Sequence, residues 1–221
     1  TLNILNGVVF DGFNVKTRLV SVCGTTGVIN IDGATFQNIT SGTYVIGAAR
    51  AGTVNINSGT FTNITASTAI ITGATKNFKT NINGGTFDSN KSVIVNPGQG
   101  TTTINGGTFT NNTNVGGNGT VANLSGGQIT INGGTFSNNS GANYGGVIYA
   151  NGGQVTITNG SFTNNSAVSE GGAIYIGQTS DTSFATLDIG GSSYNPSTSS
   201  ITFSGNTAAA GGAITINSSG A

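Results

Sequence analysis

Six acidic side chains are the main candidates for chemistry in this chain of 221 residues, which has no histidine and one cysteine. A hydrolase, a lyase or a calcium site needs carboxylates that lie close together, in many cases beside a basic residue. Asp181 and Asp188 flank one variable stretch, which makes them the best candidate pair but a weak signal. We therefore expect no enzymatic activity, no cofactor and no metal site. The complete acidic set is Asp11, Asp32, Asp88, Glu170, Asp181 and Asp188.

The overall composition excludes several classes of partner. Charged residues make up 5% of the chain and the formal net charge is zero, so no basic surface is available for nucleic acid or anionic lipid. No apolar run is long enough to cross a membrane. Cys23 has no partner for an internal disulfide, and we expect it to be a small, half-buried apolar residue. The chain opens at Thr1 without a leader, which indicates either a removed signal segment or an excerpt of a longer protein.

One aromatic motif returns along the whole chain at a nearly constant interval. The repeat phenylalanines are separated by 26, 25, 26, 22, 27, 26 and finally 41 residues. They are Phe10, Phe36, Phe61, Phe87, Phe109, Phe136, Phe162 and Phe203. Five positions before each of the first seven stands an apolar residue, at Leu5, Ile31, Ile56, Ile82, Ile104, Ile131 and Ile157. A fixed phase with loops of variable length is typical of stacked repeats.

Three short strands and no helix can be assigned within each repeat. The first strand alternates polar and apolar residues, the second contains the phenylalanine, and the third is an apolar run. We predict an all-β, parallel β-helix solenoid of about eight coils of 22–27 residues, with three strands per coil. It would form one domain over residues 1–221, with an insertion near 177–200 in the last coil. An antiparallel sandwich is the alternative, although nothing in a sandwich requires one motif at fixed phase.

Asparagine recurs three residues after the repeat phenylalanine in five coils. An inward asparagine can bond the coils above and below it, which satisfies buried backbone groups at a corner. We therefore predict a structural asparagine ladder beside a core phenylalanine column. Phe13, Ile39 and Ile64 hold this position in the first three coils and predict an apolar corner there. The ladder residues are Asn90, Asn112, Asn139, Asn165 and Asn206.

Two outward columns offer alternative binding functions. The first strand presents small polar residues, which we interpret as solvated hydrogen-bonding ladders. Some ice-binding solenoids present regular threonine rows, but only Thr156 and Thr158 form a complete Thr-x-Thr pair on this strand. Tyr149 and Tyr175 should stand outward in adjacent coils of the third strand, where they could bind a sugar or an aromatic partner. Packing between the two coils explains the tyrosines equally well and is the preferred interpretation.

Two short motifs occur together in the C-terminal part of the chain. Phe-x-x-Asn begins at five of the repeat phenylalanines, and Gly-Gly-Ala-Ile occupies residues 171–174 and 211–214. Their combination resembles the repeats of the chlamydial polymorphic outer-membrane proteins and of similar adhesin-like surface proteins. The full pair covers Phe136 to Ile216, and the first three coils depart from Phe-x-x-Asn. The resemblance implies an extracellular, right-handed β-helix used for adhesion or surface structure.

The two ends of the chain suggest how such a rod could assemble. Solenoids normally carry terminal caps, but this sequence begins directly on a first strand and stops just after a third strand. If Ala221 were followed by Thr1 of a second copy, Phe203 and the next Phe10 would be 28 residues apart, close to the internal spacing. The predicted assembly residues are Leu2, Ile4, Leu5, Ile214 and Ile216.

We therefore predict an extracellular or cell-surface structural protein, the subunit of a homopolymeric filament built by head-to-tail stacking. The alternative is an adhesin-like segment of one long covalent surface solenoid, with a glycan or a host-surface receptor as its partner. An ice-binding protein and a polysaccharide lyase or hydrolase are further alternatives. We expect no nucleic acid partner and no direct insertion into a membrane.

Overall fold

The structure is a computed structural model that describes residues 1–22, 26–48, 50–73, 75–114, 119–141, 143–178, 185–192 and 195–217. Cys23, Asp181 and Ala221 lie outside the described residues, and the expectations that concern them are not tested.

The regular structure of the described residues consists of strands, with no helix. In the N-terminal half the strands are β1 (Leu2–Leu5), β2 (Val9–Asp11), β3 (Asn14–Val15), β4 (Arg18–Val22), β5 (Gly27–Gln37), β6 (Thr40–Ser41), β7 (Tyr44–Ala48), β8 (Gly52–Thr62), β9 (Thr65–Ala66), β10 (Ala69–Gly73), β11 (Phe78–Ile82), β12 (Thr86–Asp88), β13 (Ile94–Asn96), β14 (Thr101–Ile104) and β15 (Thr108–Thr110). They continue as β16 (Thr113–Asn114), β17 (Val121–Asn123), β18 (Gln128–Ile131), β19 (Thr135–Ser137), β20 (Ser140–Gly141), β21 (Ile148–Asn151), β22 (Gln154–Ile157), β23 (Gly160–Thr163), β24 (Ser166–Ala167), β25 (Ile174–Gly177), β26 (Thr186–Ile189), β27 (Ile201–Ser204) and β28 (Ile214–Ile216).

Every strand pairs in parallel with the equivalent strand of the next coil, which confirms the predicted parallel β-solenoid. The first ladder contains β1, β5, β8, β11, β14, β18, β22 and β26. The second ladder contains β2, β5, β8, β12, β15, β19, β23 and β27, because β5 and β8 each run through both ladders. The third ladder is a separate sheet of eight strands, from β4 to β28.

Four details differ from the sequence-based expectation. Two-residue strands form a short fourth ladder between the second and third ladders, in two sets of three. About six coils, from that of Phe36 to that of Phe162, are covered on both sides, with a partly exposed coil at each end. The expected insertion near 177–200 is divided, because β26 forms the first strand of the last coil within it.

The fourth difference is the register of the first coil. We expected Leu5 in the apolar column, but Ile4 lies opposite Ile31, and Leu5 lies opposite Asp32 with 58% of its surface exposed. The cause is one extra residue between the first strand and Phe10, compared with the spacing from Ile31 to Phe36. Because side chains alternate between faces, this shift moves Leu5 to the outer face.

The interior of the solenoid is one apolar cluster that runs along the whole rod. Stacked isoleucines and valines of the first and third ladders face the phenylalanine column of the second. Since each coil places the same residue type over that of the coil beneath, the packing of one coil repeats in the next, about 4.8 Å away.

Candidate functional site

The phenylalanine column forms a continuous stack of rings. Neighbouring rings are nearly parallel, with centroids 4.6 to 5.0 Å apart from Phe10 to Phe203. The six rings from Phe36 to Phe162 are fully buried, whereas the two terminal rings are partly exposed. The terminal exposure arises because Phe10 and Phe203 each have a stacked ring on one side only.

The inward asparagines hold the corner of the preceding coil at two points. The amide nitrogen of Asn139 donates to the carbonyl oxygen of Phe109 at 2.9 Å, and its side-chain oxygen accepts the backbone N–H of Asn112 at 3.0 Å. The same two bonds recur at Asn90, Asn112, Asn165 and Asn206, with four of the five residues buried and Asn206 half-buried. In the C-terminal coils the amides also bond to one another along the column. The inward asparagine column therefore has a structural role.

The residue just before the position of the inward asparagine explains why the corner needs these hydrogen bonds. This residue has a positive φ in all eight corners. The eight residues are Gly12, Asn38, Asn63, Ser89, Asn111, Asn138, Asn164 and Gly205. A left-handed residue turns the chain sharply and takes the flanking N–H and C=O out of the strand ladder. Glycine, asparagine and serine tolerate this conformation, and their pairs between the strands predict positive φ at the corners, which the structure confirms.

The apolar corner expected in the first three coils is only partly present. Ile39 and Ile64 are buried, but 43% of the surface of Phe13 is exposed at the end of the rod. The Phe13 ring lies 6.2 Å from the Phe10 ring, so the two aromatic residues pack together on the end face.

The outward face of the first ladder carries asparagine ladders of its own. The side-chain amide of Asn30 donates a hydrogen bond to the side-chain oxygen of Asn3 at 2.8 Å. Asn55 donates to Asn30 in the same way, and Asn81 donates to Asn55. A second outer ladder runs from Asn132 down to Asn57 in the same direction. Thr158 was expected to face outward, but only 8% of its surface is exposed, because the backbone near Gly191 covers it. The Thr156/Thr158 pair is therefore unavailable to ice.

A threonine row that sequence analysis missed lies on the second ladder. Thr60, Thr86, Thr108 and Thr135 are exposed and in direct register, and Ser161 separates them from Thr202 in the same row. Threonines of this row line an open groove of about 620 Å³ together with glycines of four successive coils. The Gly-Gly-Thr-Phe segment of the repeat was the available signal, since it places small residues at the same outward positions in successive coils.

The acidic residues that the structure describes are dispersed and mostly bonded to neighbouring polar groups. The Asn38 amide, helped by Gln37, holds the pKa of Asp11 below its ordinary value. The Thr110 hydroxyl holds the pKa of Asp88 below its ordinary value against a smaller effect of burial, with further help from Asn111 and Ser89.

In the described part of the chain no carboxylate pair is brought together by these contacts, and the candidate pair with Asp181 lies outside it. Asp32 accepts from Ser58 at 3.1 Å, and Asp188 accepts the Gly191 N–H at 3.1 Å. Among the described residues, no three side chains of Asp, Glu, Cys or His form a group that could hold a metal ion.

The outward tyrosines form a cluster near the C-terminal end of the third ladder. The rings of Tyr149 and Tyr175 are parallel at 5.5 Å, and Tyr144 lies 4.6 Å from Tyr175. Burial raises the pKa of Tyr149, and burial followed by the charge of Glu170 raises that of Tyr175. Only 9% of Tyr175 is exposed, so packing between coils occupies most of its surface.

The two end faces of the rod each carry an apolar recess. At the N-terminal end, Leu2, Ile4, Val8, Phe10, Leu19 and Val20 surround a recess of about 460 Å³. At the C-terminal end, Ile189, Ile201, Phe203 and Ile214 surround one of about 450 Å³. The predicted assembly residues Leu2, Ile4, Ile214 and Ile216 belong to these end coils, whereas Leu5 points away from the core.

No family model, curated protein or solved structure matches the chain. The resemblance to chlamydial surface proteins therefore stays a prediction. The motif itself has a structural cause: Gly171 has φ of 66°, and a side chain there would collide with the carbonyl oxygen of Ile174. Within the described residues there is no helix long and apolar enough to span a membrane.

Proposed function

We propose that this chain is an extracellular structural protein that forms filaments by head-to-tail stacking of its β-helical coils. The observation that carries the proposal is the match between the two apolar end faces. An exposed coil presents unpaired backbone groups and uncovered core, and both are satisfied by another parallel coil. None of the described residues that line either recess is charged, so no charge there opposes the contact.

The register of the columns specifies how two copies would meet. Following the strand pairings through all coils, Ile189 belongs to the column of Ile4, Phe203 to that of Phe10, and Ile214 to that of Val20. Stacking would therefore extend each apolar column with a residue of similar type. Such a contact joins different surfaces of two copies, so it propagates into a filament unless it closes into a ring.

Paired end variants test the proposal. Ile4→Lys places a charge on the N-terminal face and Ile189→Lys on the C-terminal face, and each should prevent filaments in negative-stain images and sedimentation experiments. Mixed in equal amounts, the two variants should form a dimer that grows no further, because one intact face of each kind remains. Val168→Lys is the matched control, since 68% of Val168 is exposed on the flank of the rod.

A monomeric wild-type chain at high concentration would contradict stacking. The adhesin-like segment of a long covalent solenoid would then replace the filament as the proposal. Dimers formed by Ile4→Lys alone would also contradict it, because they would require two identical faces to pair.

Ice binding is a second candidate function, and the exposed threonine row of the second ladder favours it. Threonines in strand register form a flat array with a spacing of about 4.8 Å along the rod. If this face binds ice, the chain should produce a gap between melting and freezing temperatures, and Thr108→Tyr should abolish the gap without lowering stability. A wild-type chain without such a gap rejects this candidate.

A further inference from the structure

We infer that Asp188 of one copy accepts a hydrogen bond from the side-chain amide of Asn3 in the next copy. The outer asparagine ladder would then continue across the junction between two stacked copies and fix the register of that junction. The inference rests on the proposed head-to-tail stacking and identifies a second copy of this chain as the partner. It concerns the specificity of the contact, whereas the apolar end faces concern its strength.

The two residues belong to one column. Strand pairing connects Asn3 to Asn30, and the same column continues upward through Asn55 and Asn81. It then passes through three threonines and reaches Asp188 opposite Thr156 in the last coil. A stacked second copy would therefore place its Asn3 directly above Asp188, at the ordinary separation of about 4.8 Å between strands.

The direction of the ladder makes the two residues chemically complementary. In each described rung the amide nitrogen donates to the side-chain oxygen of the preceding coil, as Asn30 does to Asn3. Asn3 repeats this geometry only if an acceptor lies in a coil beneath it. An ionised carboxylate accepts hydrogen bonds without donating any, and its bond with an amide is charge-assisted. Among the described residues, Asp188 accepts the Gly191 N–H on one oxygen, and a carboxylate offers further acceptor sites on its two oxygens.

This pair would also discriminate against a slipped junction. At the neighbouring positions of the junction, Leu187 of one copy would lie below Leu2 of the next, and Ile189 below Ile4. A shift of one residue would place Asp188 against an apolar side chain and turn the isoleucines out of the core column. The correct register alone satisfies both the polar and the apolar columns.

Three variants of the full 221-residue chain test the pair by sedimentation and negative-stain imaging at low salt. Asn3→Asp places two carboxylates one coil apart and should raise the concentration needed for stacking roughly tenfold. Asp188→Asn keeps an acceptor oxygen and should stack nearly as well as the wild type. The combination of Asn3→Asp with Asp188→Asn should restore stacking, because the amide introduced by the second substitution could donate to the carboxylate introduced by the first.

Gln128→Glu is the control, because it adds the same charge on the outer face of β18, two strands before the last strand of the first ladder and outside the Asn3 column. If wild-type filaments form but Asn3→Asp behaves like Gln128→Glu, or if the double substitution fails to restore stacking, the Asn3–Asp188 pair is wrong while the proposed function stands. A wild-type chain that never assembles overturns the proposed function and this inference with it.

Discussion

Asn139 clamps the corner formed by Phe109 and Asn112 of the preceding coil, with bonds of 2.9 Å to the Phe109 carbonyl oxygen and 3.0 Å from the Asn112 N–H. Both backbone groups are buried and lie where the left-handed residue Asn111 interrupts the strand ladder. One side chain thus replaces two hydrogen bonds that regular strand pairing would have made.

Asn139→Ala should therefore destabilise the rod strongly. It leaves a buried N–H and a buried carbonyl without partners, each at a cost of about 1–3 kcal/mol. Chemical denaturation measures the loss. Asn105→Ala is the control, because Asn105 belongs to the exposed outer ladder, and it should cost less than about 1 kcal/mol. Equal losses in the two variants would contradict a special role for the inward column.

Phe136→Ala should leave a cavity in the middle of the ring stack and cost about 3–5 kcal/mol. The ring is fully buried between Phe109 and Phe162, at 4.7 and 4.9 Å. Phe203→Ala should cost less, because its ring is partly exposed at the end of the rod. Denaturation with urea compares the two, and a loss below about 1 kcal/mol at Phe136 would show that the register of the second ladder is wrong.

The left-handed corner gives a third prediction, at Asn138 with φ of 56°. Asn138→Val should destabilise the protein by about 1–2 kcal/mol, because a β-branched residue is strained in that conformation. Asn138→Gly should be close to neutral, since glycine adopts positive φ without strain. If thermal unfolding gives valine and glycine the same midpoint, the backbone does not need this conformation.

Asp88 gives a prediction about pH. Its pKa is held below the ordinary value, chiefly by the Thr110 hydroxyl, so its carboxylate stabilises the folded state at pH values above the unfolded pKa. That contribution is lost as pH falls through the lowered folded pKa. Unfolding experiments from about pH 7 to about pH 2 should show a flatter acid limb for Asp88→Asn than for the wild type. The difference should be small because Asp88 is only partly covered. Identical acid limbs would contradict it.

We also predict that the chain is catalytically silent. Incubation with pectins, alginates and other acidic glycans, with and without calcium, should release no new reducing or unsaturated ends. The reason is the dispersion of the described carboxylates and the absence of histidine from the sequence. Reproducible cleavage that disappears in Asp181→Ala or Asp188→Ala would overturn this prediction.

Sequence alone was sufficient for the architecture and for the phenylalanine and asparagine columns. A parallel solenoid places equivalent residues on top of one another, so the recurrence of Phe136 and Asn139 at fixed phase already implied a ring stack and an amide ladder. The same residue types recur in the motif because each coil packs against equivalent side chains of the coils above and below it. The pairs of glycine, asparagine and serine between the strands also predicted positive φ at the corners, but not which residue of each pair adopts it, because all three residue types tolerate that conformation.

Other features depended on where the coils and loops lie in space. Sequence spacing assigned Leu5 to the core, whereas strand pairing assigns Ile4, because a single additional corner residue reverses which side chain faces inward. The alternation of side chains predicts that Thr158, just after β22, faces outward. The backbone near Gly191, 33 residues further along the chain, nevertheless covers it. Periodicity reports which face of a strand a residue occupies, whereas burial also depends on segments distant in sequence, and only the tertiary structure brings those segments together.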